Sequence, residues 1–243
     1  MNLIPLAQTA STNRYLMQLC NEKPSTPAFT TVVCRHQTAG HGQRGTGWEA
    51  EADKNLTFSF VIYPTFLQVR RQFILSQITC LAVKELLARF TSDVSVKWPN
   101  DVYWQDKKIC GILIEHILSG NRLERSIVGV GLNVNQEVFR SDAPNPVSLK
   151  QITGKEFDCG RLLEQIMERI ERDYAGLPQN EEEIARRYAH SLFRGEGFHT
   201  YRDANGTFTA RLLGVEPDGR LLLEEREGNT RSYYFKEVQY LPE

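Results

Sequence analysis

Seven residues, Val128-Gly129-Val130-Gly131-Leu132-Asn133-Val134, restrict the fold more than any other stretch. Side chains of a strand alternate between its two faces, so Val128, Val130, Leu132 and Val134 share one face while Gly129, Gly131 and Asn133 share the other. The first face belongs in a core. The second is bare over two positions and ends in an amide. Glycine weakens a strand interior, and the usual reasons to keep it are a ligand lying on the backbone or another element packing closely. Both readings stand at this point. A related pattern, Ile109-Cys110-Gly111-Ile112-Leu113-Ile114, interrupts a second strand with Gly111.

That second strand closes a hairpin. Val94, Val96 and Trp98 alternate with Ser95 and Lys97, Pro99-Asn100-Asp101 interrupt the strand, and Gln105-Asp106-Lys107-Lys108 make a polar turn after Val102-Tyr103-Trp104. Lys97, Lys108 and Asp101 are thereby gathered into a local site suited to a polyanion, although lysines on a hairpin are ordinarily just solvated. A general nucleic-acid footprint is missing, since 29 basic and 30 acidic residues leave a net charge of −1.

The surrounding segments give a mixed order of helices and strands. Ser11 caps a short amphipathic helix over residues 14–20, and residues 29–35 and 56–62 read as strands. Phe73, Ile74, Ile78, Leu81, Ala82 and Leu86 recur at helical spacing within residues 70–90, which predicts a long helix covering a sheet face. A further strand is expected over 125–134, and helices over 161–174 and 181–193. Beyond Arg194 short strands alternate with the turns Pro217-Asp218-Gly219 and Glu227-Gly228-Asn229, a small all-β unit. At roughly 50 residues it is marginal alone and should pack on the main domain. The 41% hydrophobic content of the 243 residues suffices for a sizeable core. Cys20, Cys34, Cys80, Cys110 and Cys159 include no CxxC pair and read as small apolar residues in a reducing compartment. With no basic-then-apolar leader and no bilayer-length apolar run, a cytoplasmic location is expected.

Gly40-His41-Gly42-Gln43-Arg44-Gly45 satisfies GxGxxG. A dinucleotide fold would open a helix at the third glycine, but residues 46–53 have no helical apolar period, and no Gly-Lys-Ser/Thr follows as in a P-loop. What remains is a loop whose backbone N–H groups, with His41 and Arg44, can close over an anion. His36, His41, His116, His190 and His199 show no paired ligand spacing, and no GxSxG elbow accompanies the serines.

Taken in order, STN at 11–13, QTAGHGQRG at 37–45 with Trp48, KWPND at 97–101, KKICGILIE at 107–115 and VGVGLN at 128–133 closely resemble the catalytic domain of biotin protein ligases. The resemblance covers nearly all of residues 1–193, and FTARLLGV with YYFKEV is similar to that family's C-terminal domain. It implies an α+β fold, a mixed sheet flanked by helices as in class II aminoacyl-tRNA synthetases, with a catalytic domain at 1–194 and an SH3-like β-barrel at 195–243. No helix-turn-helix segment precedes STN, which resembles the monofunctional members.

The implied reaction uses ATP and Mg²⁺ to activate biotin as biotinyl-5′-AMP. Biotin then passes to a lysine of a biotin carboxyl carrier protein or domain, belonging to acetyl-CoA carboxylase or another biotin-dependent carboxylase. Neither nucleic acid nor a membrane is an implied partner, and a homodimer is left open. By resemblance Ser11, Thr12, Asn13, Gln37, Gly40, His41, Gly42, Gln43, Lys108, Gly111 and Gly129 attend biotin. Arg44, Trp48, Lys97, Asn100 and Asn133 attend the nucleotide, Asp101 is the metal ligand, and Lys108, Arg44 and Asp101 are catalytic. The family loop usually reads GRGRRG, so His41 and Gln43 remove two fixed charges and shift the load to Arg44, Lys108 and a metal ion. The alternatives are a lipoate protein ligase, related in fold and adenylate chemistry, or a catalytically idle biotin-binding regulator.

Overall fold

The computed structural model describes residues 1–43, 46–141 and 143–241. Seven strands form one mixed sheet: β1 (Asn2–Thr9), β2 (Thr30–Gln37), β3 (Leu56–Ile62), β4 (Val94–Lys97), β5 (Asp101–Trp104), β6 (Lys107–Ser119) and β7 (Arg122–Leu132), in the order β1-β2-β3-β7-β6-β5-β4. Among the described strands of this sheet only β1 and β2 pair in parallel; the remaining strand pairs are antiparallel. Among the described residues five α-helices accompany them: α1 (Thr12–Glu22), α2 (Phe73–Leu87), α3 (Leu149–Thr153), α4 (Cys159–Ala175) and α5 (Glu181–His190). The mixed sheet with flanking helices agrees with the sequence expectation. Strand β1 and the five-residue α3 did not emerge from the pattern. Pro5 obscures β1, which tolerates it as an edge strand. None of the helices is long and apolar enough to cross a membrane, among the described residues.

The two faces of β3 show how the sheet divides its labour. Leu56, Phe58, Phe60 and Ile62 join Val128, Val130 and Leu132 in the main core, against α2. That helix buries 13 of its 15 residues because α4 and α5 cover its outer side, so it is apolar nearly all round instead of along one stripe. On the opposite face Val61 and Ile127, neighbours in register, pack with Leu16, Cys20 and Val32 under α1. Moving along β3 toward the start of α1, the same face changes to Ser59 and Thr57, which pair with Gly129 and Gly131. Apolar cover stops there, and a trough begins.

The C-terminal unit contains β8 (Phe198–Asp203), β9 (Gly206–Val215), β10 (Leu221–Glu225), β11 (Thr230–Tyr233) and β12 (Gln239–Tyr240) in the order β11-β10-β9-β8-β12. No pairing joins β11 to β12 among the described residues, so this sheet is open. It packs on the main domain as expected, with Tyr201, Ala210, Leu221 and Leu223 continuous with the main core. Trp98 anchors the junction: its Nε1–H donates to the Gly219 carbonyl at 2.9 Å, and its ring meets Phe235 edge-on at 6.2 Å. Gly219 has φ +93°, and a Cβ there would sit 2.9 Å from the Phe73 ring, so the tight approach requires glycine. Replacing Trp98 with Phe removes the donor and part of the ring. Chemical denaturation should register a loss of about 1–3 kcal/mol. An unchanged midpoint would show that this anchor contributes nothing to docking.

Candidate active site

The trough is one end of a cleft of about 640 Å³, within the range usual for small-molecule sites. Its floor is the bare face of the sheet. Gly111 pairs with Gly131 and Leu113 with Gly129, so three glycines from two adjacent strands lie together. The structure decides between the two readings of this face at two of the positions. The Asn13 side chain lies against Gly129, while the Trp48 indole lies across Gly131 with its edge against Gly111. A Cβ on Gly131 would fall 2.5 Å from the indole Nε1, and one on Gly111 3.1 Å from the ring and 3.3 Å from Lys108 Cε. The glycines admit the chain's own Asn and Trp, which become the surface offered to a ligand.

At the α1 end a buried polar network replaces the apolar cover. Ser11 caps the helix, its hydroxyl accepting from the Arg14 amide at 3.5 Å, and Ser11, Thr12 and Asn13 are all buried. Gln37 Oε1 accepts from the Thr12 amide at 2.9 Å and from its hydroxyl at 3.2 Å. Ser59 Oγ stands 2.7 Å from Thr12 Oγ1 and 2.6 Å from Asn13 Oδ1, so its single proton serves one acceptor at a time. Asn13 Nδ2 donates to Glu115 at 2.7 Å and to the Leu113 carbonyl at 3.4 Å. Sequence reasoning singled out Ser11, Thr12, Asn13 and Gln37 but missed Ser59, Thr57 and Glu115. The signal was present as parity: Thr57 and Ser59 alternate with Phe58 and Phe60, and Glu115 lies two and four residues beyond Leu113 and Gly111.

At the other end Lys108 Nζ and an Asp101 carboxylate oxygen form an ion pair at 2.8 Å. Lys108 and Gly111 are three apart and would face opposite ways on a regular strand. A register shift in the β5–β6 pairing, between Val102 and Tyr103, absorbs one residue and brings both to the cleft, leaving Ile109 and Cys110 buried in succession. The Lys108 ammonium also lies 5.7 Å from the Trp48 ring centre. Burial raises the Asp101 carboxyl above the usual carboxylate range, against the downward pull of Lys108 and Lys97. Asn100, buried below, accepts at its backbone carbonyl from the Ile112 amide at 3.0 Å and donates its side-chain amide to the Ile112 carbonyl. Its position fixes the chain just before Asp101.

The glycine-rich loop folds back on itself as an antiparallel bridge between His41 and Gly47, and the Gly42 amide donates to the Thr46 carbonyl at 2.6 Å. No helix follows it, as the sequence indicated. His41, Gly42 and Gln43 line the cleft, while Gly40 supports Gln37 and accepts from the Trp48 amide at 3.0 Å. Arg44 lies outside the described residues.

Two expected nucleotide residues stand apart from the cleft lining. The Lys97 ammonium sits 4.7 Å over the Tyr103 ring, 5.3 Å from Tyr240 and 5.8 Å from Phe193, and burial lowers its pKa. Asn133 donates to the Val147 carbonyl at 3.2 Å, holding the segment that follows β7. That segment supplies Ser141, Ala143 and Pro144 to the cleft, and the C-terminal unit supplies Phe235 and Lys236. No local sequence pattern marks these five, because only the folded chain brings them to the mouth.

Comparison with known proteins bears on what this cleft holds. The model of the Biotin/lipoate A/B protein ligase family matches residues 6–133. The bifunctional ligase/repressor BirA of Bacillus spizizenii is 30% identical over 232 residues, covering 92% of this chain and 70% of that protein. The biotin–[acetyl-CoA-carboxylase] ligase of Mycobacterium tuberculosis is 28% identical, covering 90% of this chain and 82% of that one. Among solved structures, the biotin protein ligase of Aquifex aeolicus in complex with biotin and ATP superposes with a TM-score of 0.80 at 28% identity over 99% of both chains.

Proposed function

We propose that this chain, which belongs to the Biotin/lipoate A/B protein ligase family, is an ATP-dependent biotin protein ligase that attaches biotin to a lysine of a biotin carboxyl carrier domain in the cytoplasm. The observation that carries the reading is the Lys108–Asp101 pair at 2.8 Å, inside the same cleft as the Thr12–Asn13 network and the glycine-rich loop. Biotin lies toward Ser11, Thr12, Asn13, Gln37 and Gly129, where a fused ring bearing polar groups meets buried donors and acceptors. The nucleotide lies toward Trp48, Lys108 and Asp101.

The chemistry follows from charge. A carboxylate must approach the α-phosphorus of a polyphosphate, and two unit charges about 4 Å apart repel by on the order of 4 kcal/mol at an effective dielectric of 20. Lys108 stands where the two anions would meet and lowers that repulsion before the atoms touch. Trp48 and the floor of the sheet orient the reactants, and placement with electrostatics supplies most of the rate. Arg44 adds the loop's remaining fixed cation, since His41 and Gln43 occupy the positions where arginine is usual. Mg²⁺ is ordinarily held by one or two carboxylates plus substrate phosphates, so Asp101 would be the carboxylate to hold an ion bound with the nucleotide, which would supply charge neutralisation at the phosphates. In the second step the carrier's lysine amine attacks the acyl carbon of the mixed anhydride and AMP leaves. Residues 1–194 form the catalytic unit, and 195–243 an SH3-like accessory unit that supplies Phe235 and Lys236 to the mouth.

The test is direct. Purified protein with labelled ATP and either biotin or lipoate, followed by an apo carrier domain, should release AMP with biotin and label the carrier. Lipoate-dependent turnover would reassign the substrate, and biotin binding without turnover would make the chain a sensor.

A further inference from the structure

Glu49 follows Trp48 directly but points away from the cleft floor, toward the segment after β7. Its carboxylate oxygens accept from the Ser141 amide at 2.7 Å, the Arg140 amide at 3.0 Å and Gln136 Nε2 at 2.9 Å. Burial pushes its pKa up, but these donors together outweigh it and hold the carboxyl below its ordinary value. Gln136 is itself buried, accepts from the Glu51 amide at 3.0 Å and from Asn55, and donates to the Val138 carbonyl at 2.9 Å. Asn55 in turn accepts from the Val134 amide at 3.0 Å. The polar chain therefore runs from the end of β7 to the residue beside the indole. Ser141, held by it, is a cleft-lining residue, and so is Trp48.

We propose that Glu49 is a positioning residue that clasps the Trp48 loop to the 136–141 segment, so that the two walls of the nucleotide end of the cleft hold their places together. It touches no reacting atom. Its effect is on how firmly the activated intermediate is enclosed, and this part rests on the ligase reading above. Charge-assisted acceptance from two backbone amides is stronger and more directional than a neutral contact, which is why a carboxylate, and not an amide, stands here.

Glu49→Gln, Glu49→Ala and Glu49→Asp in the full chain separate the parts of this inference. Amide hydrogen exchange in the free protein tests the clasp without any turnover: exchange at Arg140 and Ser141 should accelerate by about tenfold or more in Glu49→Gln and Glu49→Ala, and less in Glu49→Asp. With ATP and biotin, KM for ATP and the rate of biotinyl-adenylate release should each rise about tenfold, while biotin affinity stays within twofold and the shorter carboxylate restores part of the effect. Unchanged exchange at both amides would overturn the clasp whether or not the protein turns over. Accelerated exchange with adenylate release and KM for ATP both unchanged would overturn its role in enclosing the intermediate. A parent protein that forms no adenylate would instead contradict the ligase reading, leaving the exchange result to judge the clasp.

Discussion

Lys108→Ala should lose biotinyl-adenylate formation by roughly 10³-fold while keeping its fold. The size follows from the repulsion it offsets: about 4 kcal/mol of charge stabilisation corresponds to about three powers of ten in rate. Folding is spared because Lys108 is already partly exposed, at 28% for the side chain, and its ion-pair partner Asp101 can take a proton in its place. The sign of that linkage is testable. Burial already raises the Asp101 pKa, and removing Lys108 deletes a group that pulls it down, so the variant's folded pKa rises further above the unfolded value. Stability from a protonated Asp101 is full below the unfolded pKa and is lost as pH climbs through the folded one. The variant's stability deficit should therefore shrink as pH falls from neutral into the acid range, as read by denaturant midpoints. Near-parental pyrophosphate exchange by Lys108→Ala would remove this lysine from the chemistry.

Gly129→Ala should raise the KM for biotin by about 10²-fold in a chain that still folds. The added methyl would stand 2.9 Å from Asn13 Cγ and closer still to Oδ1, so the amide must move. Movement disengages Asn13 from Ser59 and Glu115 and reshapes the end of the cleft where α1 begins. Alanine recovers about 0.5–1 kcal/mol of strand conformational preference over glycine, against about 1–3 kcal/mol for overpacking. The net loss of stability is then at most about 2.5 kcal/mol by the same figures, and a 10²-fold loss of binding corresponds to about 2.8 kcal/mol. Titration calorimetry with biotin decides it, and parental affinity would show that Asn13 does not position the ligand.

These two expectations rest on features of unequal visibility in the sequence. The alternation in residues 128–134 announced a strand with one bare face, and the Lys108 hairpin announced a cation beside Asp101. Neither revealed that Trp48 and Asn13 fill the bareness, since contacts between residues so far apart in the chain leave no local pattern. The same limit hid Ser141 and Lys236 from view. The bulge that turns Lys108 toward Gly111 is invisible to strict period-2 reasoning, which places them on opposite faces. Edge strand β1 was lost to Pro5, whereas α2 was legible because its apolar residues are so dense, although its burial on both sides was not.

The central proposition is that the Lys108 ammonium leaves Asp101 to stand between a carboxylate and a phosphate. A crystal structure of this chain with a non-hydrolysable biotinyl-adenylate mimic measures that directly. The account requires Lys108 Nζ within about 3 Å of an oxygen at the acyl-phosphate junction. An ammonium still bound only to Asp101, with the ligand's junction beyond the reach of either, would contradict it.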